Sequence, residues 1–322
     1  MASLTLPVLG YGAANLGNMY RELSDERARE VLDAAWDSGI RYFDTAPHYG
    51  LGLSERRLGD FLRTKPRGEY TVSTKVGRLL RPNPAGAGGY DLENNFVVPS
   101  DLKRVWDFSA DGIRRSVAES KKRMCIDHFD ILYLHDPERA NVAEPLDQRL
   151  KTALTGLAAL KEEGVVKAIG VGSMVSDALV SSARSGLVDL LMIAGRYTLA
   201  EQPALAEVVP ACRENGVGIV NASVFNSGLL ASDSPDSTAR YEYGSVPGEL
   251  LTKVQRIAAV CHRHGVALPT AALHYPLRDT SVRSIVVGSS RPEQVSENVT
   301  RLRAAVPGEL WDELVAEGLI PA

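Results

Sequence analysis

Cysteine is scarce in this chain. Its three residues, Cys125, Cys212 and Cys261, stand far apart, and no pair has metal-ligand spacing. Each falls in a segment of helical pattern, so buried, inert thiols are the expectation. Basic surplus is also missing: 36 Lys and Arg against 40 Asp and Glu leave a net charge of −4. With no excess cation to neutralise phosphates, nucleic acid and anionic membrane are excluded as obligate partners. Long apolar runs are absent too. No uncharged stretch reaches the roughly 18 residues of a membrane-spanning helix, and MASLTLPVLG lacks a charged segment ahead of an apolar one, so it does not read as a secretory signal. A soluble, cytoplasmic protein acting on a small molecule is expected. No internal repeat and no linker divides the chain, so residues 1–322 read as one domain.

What is present is a regular alternation. Apolar strands at 6–12, 40–45, 70–76, 129–135, 166–172, 188–195, 217–223 and 282–288 are each followed by a helical segment, at 24–39, 54–65, 107–124, 146–163, 175–185, 203–215, 248–264 and 291–304. In the first helix Ser24 offers an N-cap, Val31, Leu32, Ala35 and Trp36 form an apolar stripe, and Gly39 stops the pattern. Strand–helix alternation implies parallel strands joined by right-handed crossovers. Eight such units predict a (β/α)8 TIM barrel; a doubly wound sheet, the rival, usually has about six strands and a Gly-rich first turn. Two stretches break the alternation: 77–106, rich in Pro, Gly and Asn, and 226–246, rich in Ser and Asp with two Tyr. They follow the third and seventh strands, so both lie over the carboxyl-end face, where barrel active sites sit.

Polar residues gather at strand ends on that face. Strand two ends at Asp44 with Tyr49 just beyond, strand three carries Lys75, and strand four ends at His135. Ionisable groups ending apolar strands are costly unless paired, and these four come from three neighbouring strands. Together they suit proton transfer. A Tyr, with a reference pKa of about 10, is a poor base at neutral pH. An ammonium about 4 Å away favours the phenolate by roughly 4 kcal/mol before desolvation, or up to about three pKa units. Asp44 would hold Lys75 charged, and a neutral His135 would orient the same substrate oxygen. Moving a proton on an alcohol or carbonyl oxygen requires a companion hydride, which no side chain supplies, so a cofactor is implied.

FDTAPHYG (43–50), STK (73–75) and LYLHD (132–136) resemble the Asp–Tyr–Lys–His tetrad of the aldo-keto reductases, and VVGSSRPEQVSEN (286–298) resembles that family's nucleotide site. The resemblance implies a TIM barrel binding NAD or NADP, with no metal. By it Tyr49 is the acid/base, Lys75 tunes it, Asp44 anchors Lys75 and His135 positions the substrate. It offers Ser173 for the nicotinamide carboxamide, and Ser223, Phe225, Asn226 and Gly228 for the pyrophosphate loop. Gly288, Ser289, Ser290 and Arg291 stand at the phosphate-binding turn, with Gln294, Glu297 and Asn298 following. Three positions depart from the family pattern: Gly172 for a Ser, Ala194 for a Gln and Ala222 for a Tyr. Gln294 stands where many NADP-dependent members carry Arg, which favours NAD, although Arg291 could still meet a 2′-phosphate. His48 and Trp106 are candidates for the substrate pocket.

Within the family, segments 106–117 and 192–202 resemble a sugar-oxidising branch. That implies oxidation of a cyclic hemiacetal, such as L-fucose, to a lactone. Oxidation of pyridoxal to its lactone stands second and general aldehyde or ketone reduction third. A non-catalytic, nucleotide-binding channel-associated subunit is the alternative of another class. GYGAANLG (10–17) mimics the start of a dinucleotide fingerprint but has Asn15 at the third Gly, and reads as a first loop over the active site. His262 and His264 point apart on a helix and read as its solvated end, while His128 and His274 have no partner in the pattern.

Overall fold

The computed structural model describes residues 4–242 and 244–322. Tyr243, in the stretch read as 226–246, and residues 1–3 lie outside the described residues. Eight parallel strands close a barrel: β1 Leu9–Gly12, β2 Tyr42–Asp44, β3 Thr71–Val76, β4 Ile131–His135, β5 Ala168–Ser173, β6 Leu190–Ala194, β7 Gly218–Ala222 and β8 Val282–Val287. Each strand pairs with its neighbours in chain order, and β8 returns to β1 through Leu9↔Ile285.

Alternation along each strand separates two apolar layers. Tyr42, Ile131, Tyr133, Leu190, Met192, Val220 and Val286 fill the barrel, with Leu4 and Leu6 packed against them. The intervening residues, among them Phe43, Val72, Leu132, Ile169, Leu191, Ile219 and Ile285, face outward into the larger core under the helices. Those helices are α1 Asp25–Asp37, α2 Leu53–Leu62, α3 Ala110–Met124, α4 Leu146–Glu162, α5 Ser176–Arg184, α6 Val208–Asn215, α7 Gly248–Arg263, α8 Leu268–His274, α9 Pro292–Arg303 and α10 Gly308–Ala316. Ser24 caps α1 as expected, its Oγ accepting from Arg27 N–H at 3.2 Å.

Several features differ from the sequence reading. The 77–106 stretch is not irregular throughout: Arg78–Pro82 and Leu102–Trp106 pair as an antiparallel hairpin continuing out of β3. Segment 226–246 carries a short pair, Arg240–Tyr241 with Gly244–Ser245. A second helix, α8, follows α7, because Gly265 at φ 66 ends the first and Pro269 helps start the next. Cys125 is exposed rather than buried, since it is the left-handed C-cap of α3; Cys212 and Cys261 are buried. His264 bonds Glu313 at 2.5 Å, and His274 Nε2 meets the Arg301 carbonyl at 3.1 Å, so both helix-end histidines have partners. No helix among the described residues is long and apolar enough to cross a membrane.

Candidate active site

Barrel register explains why residues distant in sequence meet. Asp44 lies level with Ser73 on β3, Lys75 with Tyr133 on β4, and His135 with Gly172 on β5. Inward-facing residues two apart therefore step up around the mouth from Asp44 to Lys75 to His135. All three are buried, at 3 %, 2 % and 7 % exposure. An ammonium so deep is tolerable only if its hydrogens are satisfied. Lys75 Nζ donates to Asp44 Oδ2 at 2.5 Å and to the Thr45 carbonyl at 3.0 Å. Burial pushes its pKa down, but attraction to Asp44 and then Tyr49, with a hydrogen bond to each, leaves it above the ordinary lysine value. Asp44 Oδ1 accepts from Ser73 Oγ at 2.7 Å, and Ser73 Oγ lies 3.1 Å from Tyr42 O–H. The sequence reading missed Ser73. Its signal was its place two residues before Lys75, on the same face of β3.

Tyr49 is set by a tight contact between two loops. A Cβ on Gly17, at the end of the first loop, would stand 2.6 Å from the Tyr49 carbonyl carbon, so only glycine admits that approach. GYGAANLG thus packs its last glycine against the Tyr49–Gly50 backbone, and its Gly12, Ala14 and Asn15 line the cavity. Lys75 Nζ lies 4.8 Å from the Tyr49 ring centre. The rings of Tyr49 and His135 are 5.9 Å apart, and those of His48 and His135 5.5 Å. Burial, and then the cationic charge of Arg78, pushes the pKa of both histidines well below the ordinary value, so both are neutral at pH 7.

The hairpin beyond β3 forms a wall that the sequence reading described only as a loop. Arg78 donates to Asp136 at 2.5 Å and lies 4.5 Å from the Trp106 ring centre, and Trp106 in turn stacks on Phe108 at 5.6 Å. Arg104 grips Asp91 with two bonds of 2.6 and 2.8 Å and donates to the His48 carbonyl at 2.7 Å. Arg78 was signalled by its place three residues after Lys75, and Arg104 by sharing a strand face with Trp106 in LKRVW.

One cavity of about 1060 Å³ joins this wall to the far side of the mouth. Asp44, His48, Tyr49, Lys75, Trp106 and His135 line it. So do Ser173, Ser223, Phe225, Gly228, Gly288, Ser289, Ser290, Arg291, Gln294, Glu297 and Asn298. Asn226 does not: it is buried, and its amide donates to Glu201 at 3.3 Å, while Ser227 takes the place at the cavity. Gln294 accepts from Ser290 N–H at 3.2 Å, and Arg21, unforeseen, donates to Ser290 Oγ at 2.8 Å. α9 starts here with no side-chain cap on its first turn, and Ser223 and Ser227 hold left-handed φ of 56 and 60. Open helix-start N–H groups and turned-out backbone suit phosphate oxygens, so these residues fit a dinucleotide. Among the described residues no group of three or more His, Cys, Asp or Glu could hold a metal ion.

Residues 8–316 match the Aldo/keto reductase family. The chain is 58 % identical to a D-threo-aldose 1-dehydrogenase of Pseudomonas sp over 99 % of its length and 96 % of the relative's. It is 35 % identical to a pyridoxal 4-dehydrogenase of Microbacterium luteolum, covering 98 % and 95 %. Among solved structures it superposes on the holo form of an aldo-keto reductase from Bacillus halodurans with a TM-score of 0.74, at 24 % identity over 99 % of this chain and 94 % of that one. At that identity the last likeness speaks for the fold.

Proposed function

The chain belongs to the aldo/keto reductase family and is an oxidoreductase, and from that premise we propose that it oxidises a ring aldose at its anomeric carbon to the lactone. Tyr49 takes the proton of the anomeric hydroxyl. Lys75, held by Asp44, keeps a positive charge beside the phenol and favours its ionised form. His135, neutral, donates to the same oxygen and aligns it. Ser223, Ser227, Gly228 and the start of α9 hold the phosphates of a nicotinamide nucleotide, with Ser173 at its carboxamide. Members of this family use that cofactor, and it supplies the hydride acceptor when bound. NAD is preferred over NADP, because Gln294 offers no charge to a 2′-phosphate and is already engaged by Ser290 N–H.

The observation that carries this reading is the Lys75–Asp44 pair at 2.5 Å beside Tyr49, in a cavity continuous with the α9 turn. The similarity to an aldose dehydrogenase at 58 % identity selects the sugar. The test is turnover with NAD and NADP against L-fucose, D-arabinose, L-galactose, pyridoxal and simple aldehydes. Lactone formation from an aldose with NAD is the expected result. Turnover confined to pyridoxal, or to aldehyde reduction with NADPH, overturns it.

A further inference from the structure

Tyr49 and His135 account for one substrate oxygen, yet a third ring stands beside them. His48 lies 5.5 Å from His135 and 6.1 Å from Tyr49, with those two 5.9 Å apart, so the three rings mark a nearly equilateral triangle at the cavity floor. The third ring is well held. Phe96 meets it edge-on at 5.4 Å, and Arg104 holds its backbone carbonyl at 2.7 Å.

The polarity of the two imidazoles follows from what they hide. Nδ1 of His48 and Nδ1 of His135 are both sealed from solvent with no hydrogen-bond partner. A buried N–H without an acceptor is costlier than a buried lone pair without a donor. In a neutral ring the proton therefore sits on Nε2, the nitrogen that is not orphaned, which in His135 lies 3.6 Å from Asp136 Oδ2. Both rings are then donors with centres 5.5 Å apart, and a substrate that satisfies them offers two acceptor oxygens near one another. For a ring sugar whose anomeric oxygen sits on Tyr49 and His135, the second is the ring oxygen or the 2-hydroxyl. Hydride departure leaves positive charge on the anomeric carbon and the ring oxygen, and a donor at the ring oxygen would oppose it. The 2-hydroxyl carries no such penalty.

We infer that His48 is a specificity-determining residue that donates through Nε2 to the oxygen on the carbon next to the reacting one, so that a 2-hydroxy aldose is selected over its 2-deoxy counterpart. This rests on the aldose reading above. The test compares kcat/KM for D-arabinose and 2-deoxy-D-ribose, which differ only at that oxygen, in wild type, His48→Phe, His48→Met and His48→Gln. Phe and Met cannot donate and differ in shape, so either serves if the other does not fold. Losing one neutral hydrogen bond lowers kcat/KM on D-arabinose by about three- to tenfold. The 2-deoxy sugar, which offers His48 no acceptor, changes by less than about twofold, below the loss of even one weak hydrogen bond. His48→Gln, which restores an N–H, keeps most of the wild-type ratio. Equal losses on both sugars in the non-donating variants, with wild type active, overturn this inference alone. A wild type inactive on every aldose overturns the aldose reading, and this inference with it.

Discussion

The two ends of the cavity are built from different materials. At the β2–β4 end the working groups are side chains, nearly all buried and each locked by another: Lys75 by Asp44 and Thr45, Asp44 by Ser73, Arg78 by Asp136. At the β7–β8 end backbone does most of the shaping. Ser223 and Ser227 hold left-handed φ, α9 presents an uncapped first turn, and the charged Arg291 is exposed. The difference suits the roles proposed for the two ends. A proton relay needs fixed distances and a dry, low-dielectric setting. A nucleotide that enters and leaves each turnover needs N–H groups and mobile cations at an open rim.

That contrast sets the order of expected effects. Tyr49→Phe, at the rigid end, removes the proton acceptor proposed for the anomeric hydroxyl and is expected to lower turnover by ~10²–10⁴-fold, while a fluorescence titration shows cofactor affinity nearly unchanged. A rate within about tenfold of wild type would mean that another group moves the proton. Lys75→Met comes next. Because Lys75 is held above its ordinary pKa by Asp44 and Tyr49 despite its burial, it keeps its charge throughout the working range and does not itself titrate there. Removing that charge takes away what favours the phenolate, so the rising, acid-side limb of the kcat/KM profile for oxidation moves to higher pH as the rate falls. A limb that stays where it was refutes the tuning role.

The rim gives the smallest effect, on cofactor choice. A charged hydrogen bond is worth roughly 1.5–3 kcal/mol, or about ten- to a hundredfold in affinity. Gln294→Arg is expected to tighten NADP by the lower part of that range and NAD far less, since the substitution also loses the bond to Ser290 N–H. Measured kcat/KM for both cofactors in wild type, Gln294→Arg and Arg291→Ala decides it. A wild type that strongly prefers NADP, with the preference reversed in Arg291→Ala, makes Arg291 the phosphate ligand.

The same contrast explains what could be read from the chain. The barrel was legible because period-two strands and amphipathic helices alternate eight times, and Asp44, Tyr49, Lys75 and His135 because ionisable groups ending apolar strands are conspicuous. Ser73 hid because a serine in a strand is ordinary; only the register that sets it beside Asp44 gives it meaning. The Arg78–Pro82 and Leu102–Trp106 hairpin hid because its partners are separated by a Pro- and Gly-rich excursion that masks their alternation. The place of Asn226 was not legible because backbone φ decides which way its neighbours turn: the cavity is lined by Ser227, and the Asn226 side chain ties to Glu201. A resemblance carries side-chain identities well and loop conformation poorly.

The excursion beyond β3 leaves and rejoins the barrel at a single point, where Asp107 N–H donates to the Gly77 carbonyl at 3.1 Å. What lies between those two residues carries Arg78, Arg104 and Trp106, and it is also tied to the first loop, by Tyr20 N–H to the Asn95 carbonyl at 2.8 Å and Val97 N–H to the Asn18 carbonyl at 2.9 Å, and to the His48 carbonyl by Arg104. Closing a longer or shorter circuit costs little, only about 0.6 kcal/mol per doubling of length. A segment of another length that keeps those ties to the first loop and to His48 can therefore present a new wall to the substrate, while β3 goes on holding Lys75 against Asp44 as before.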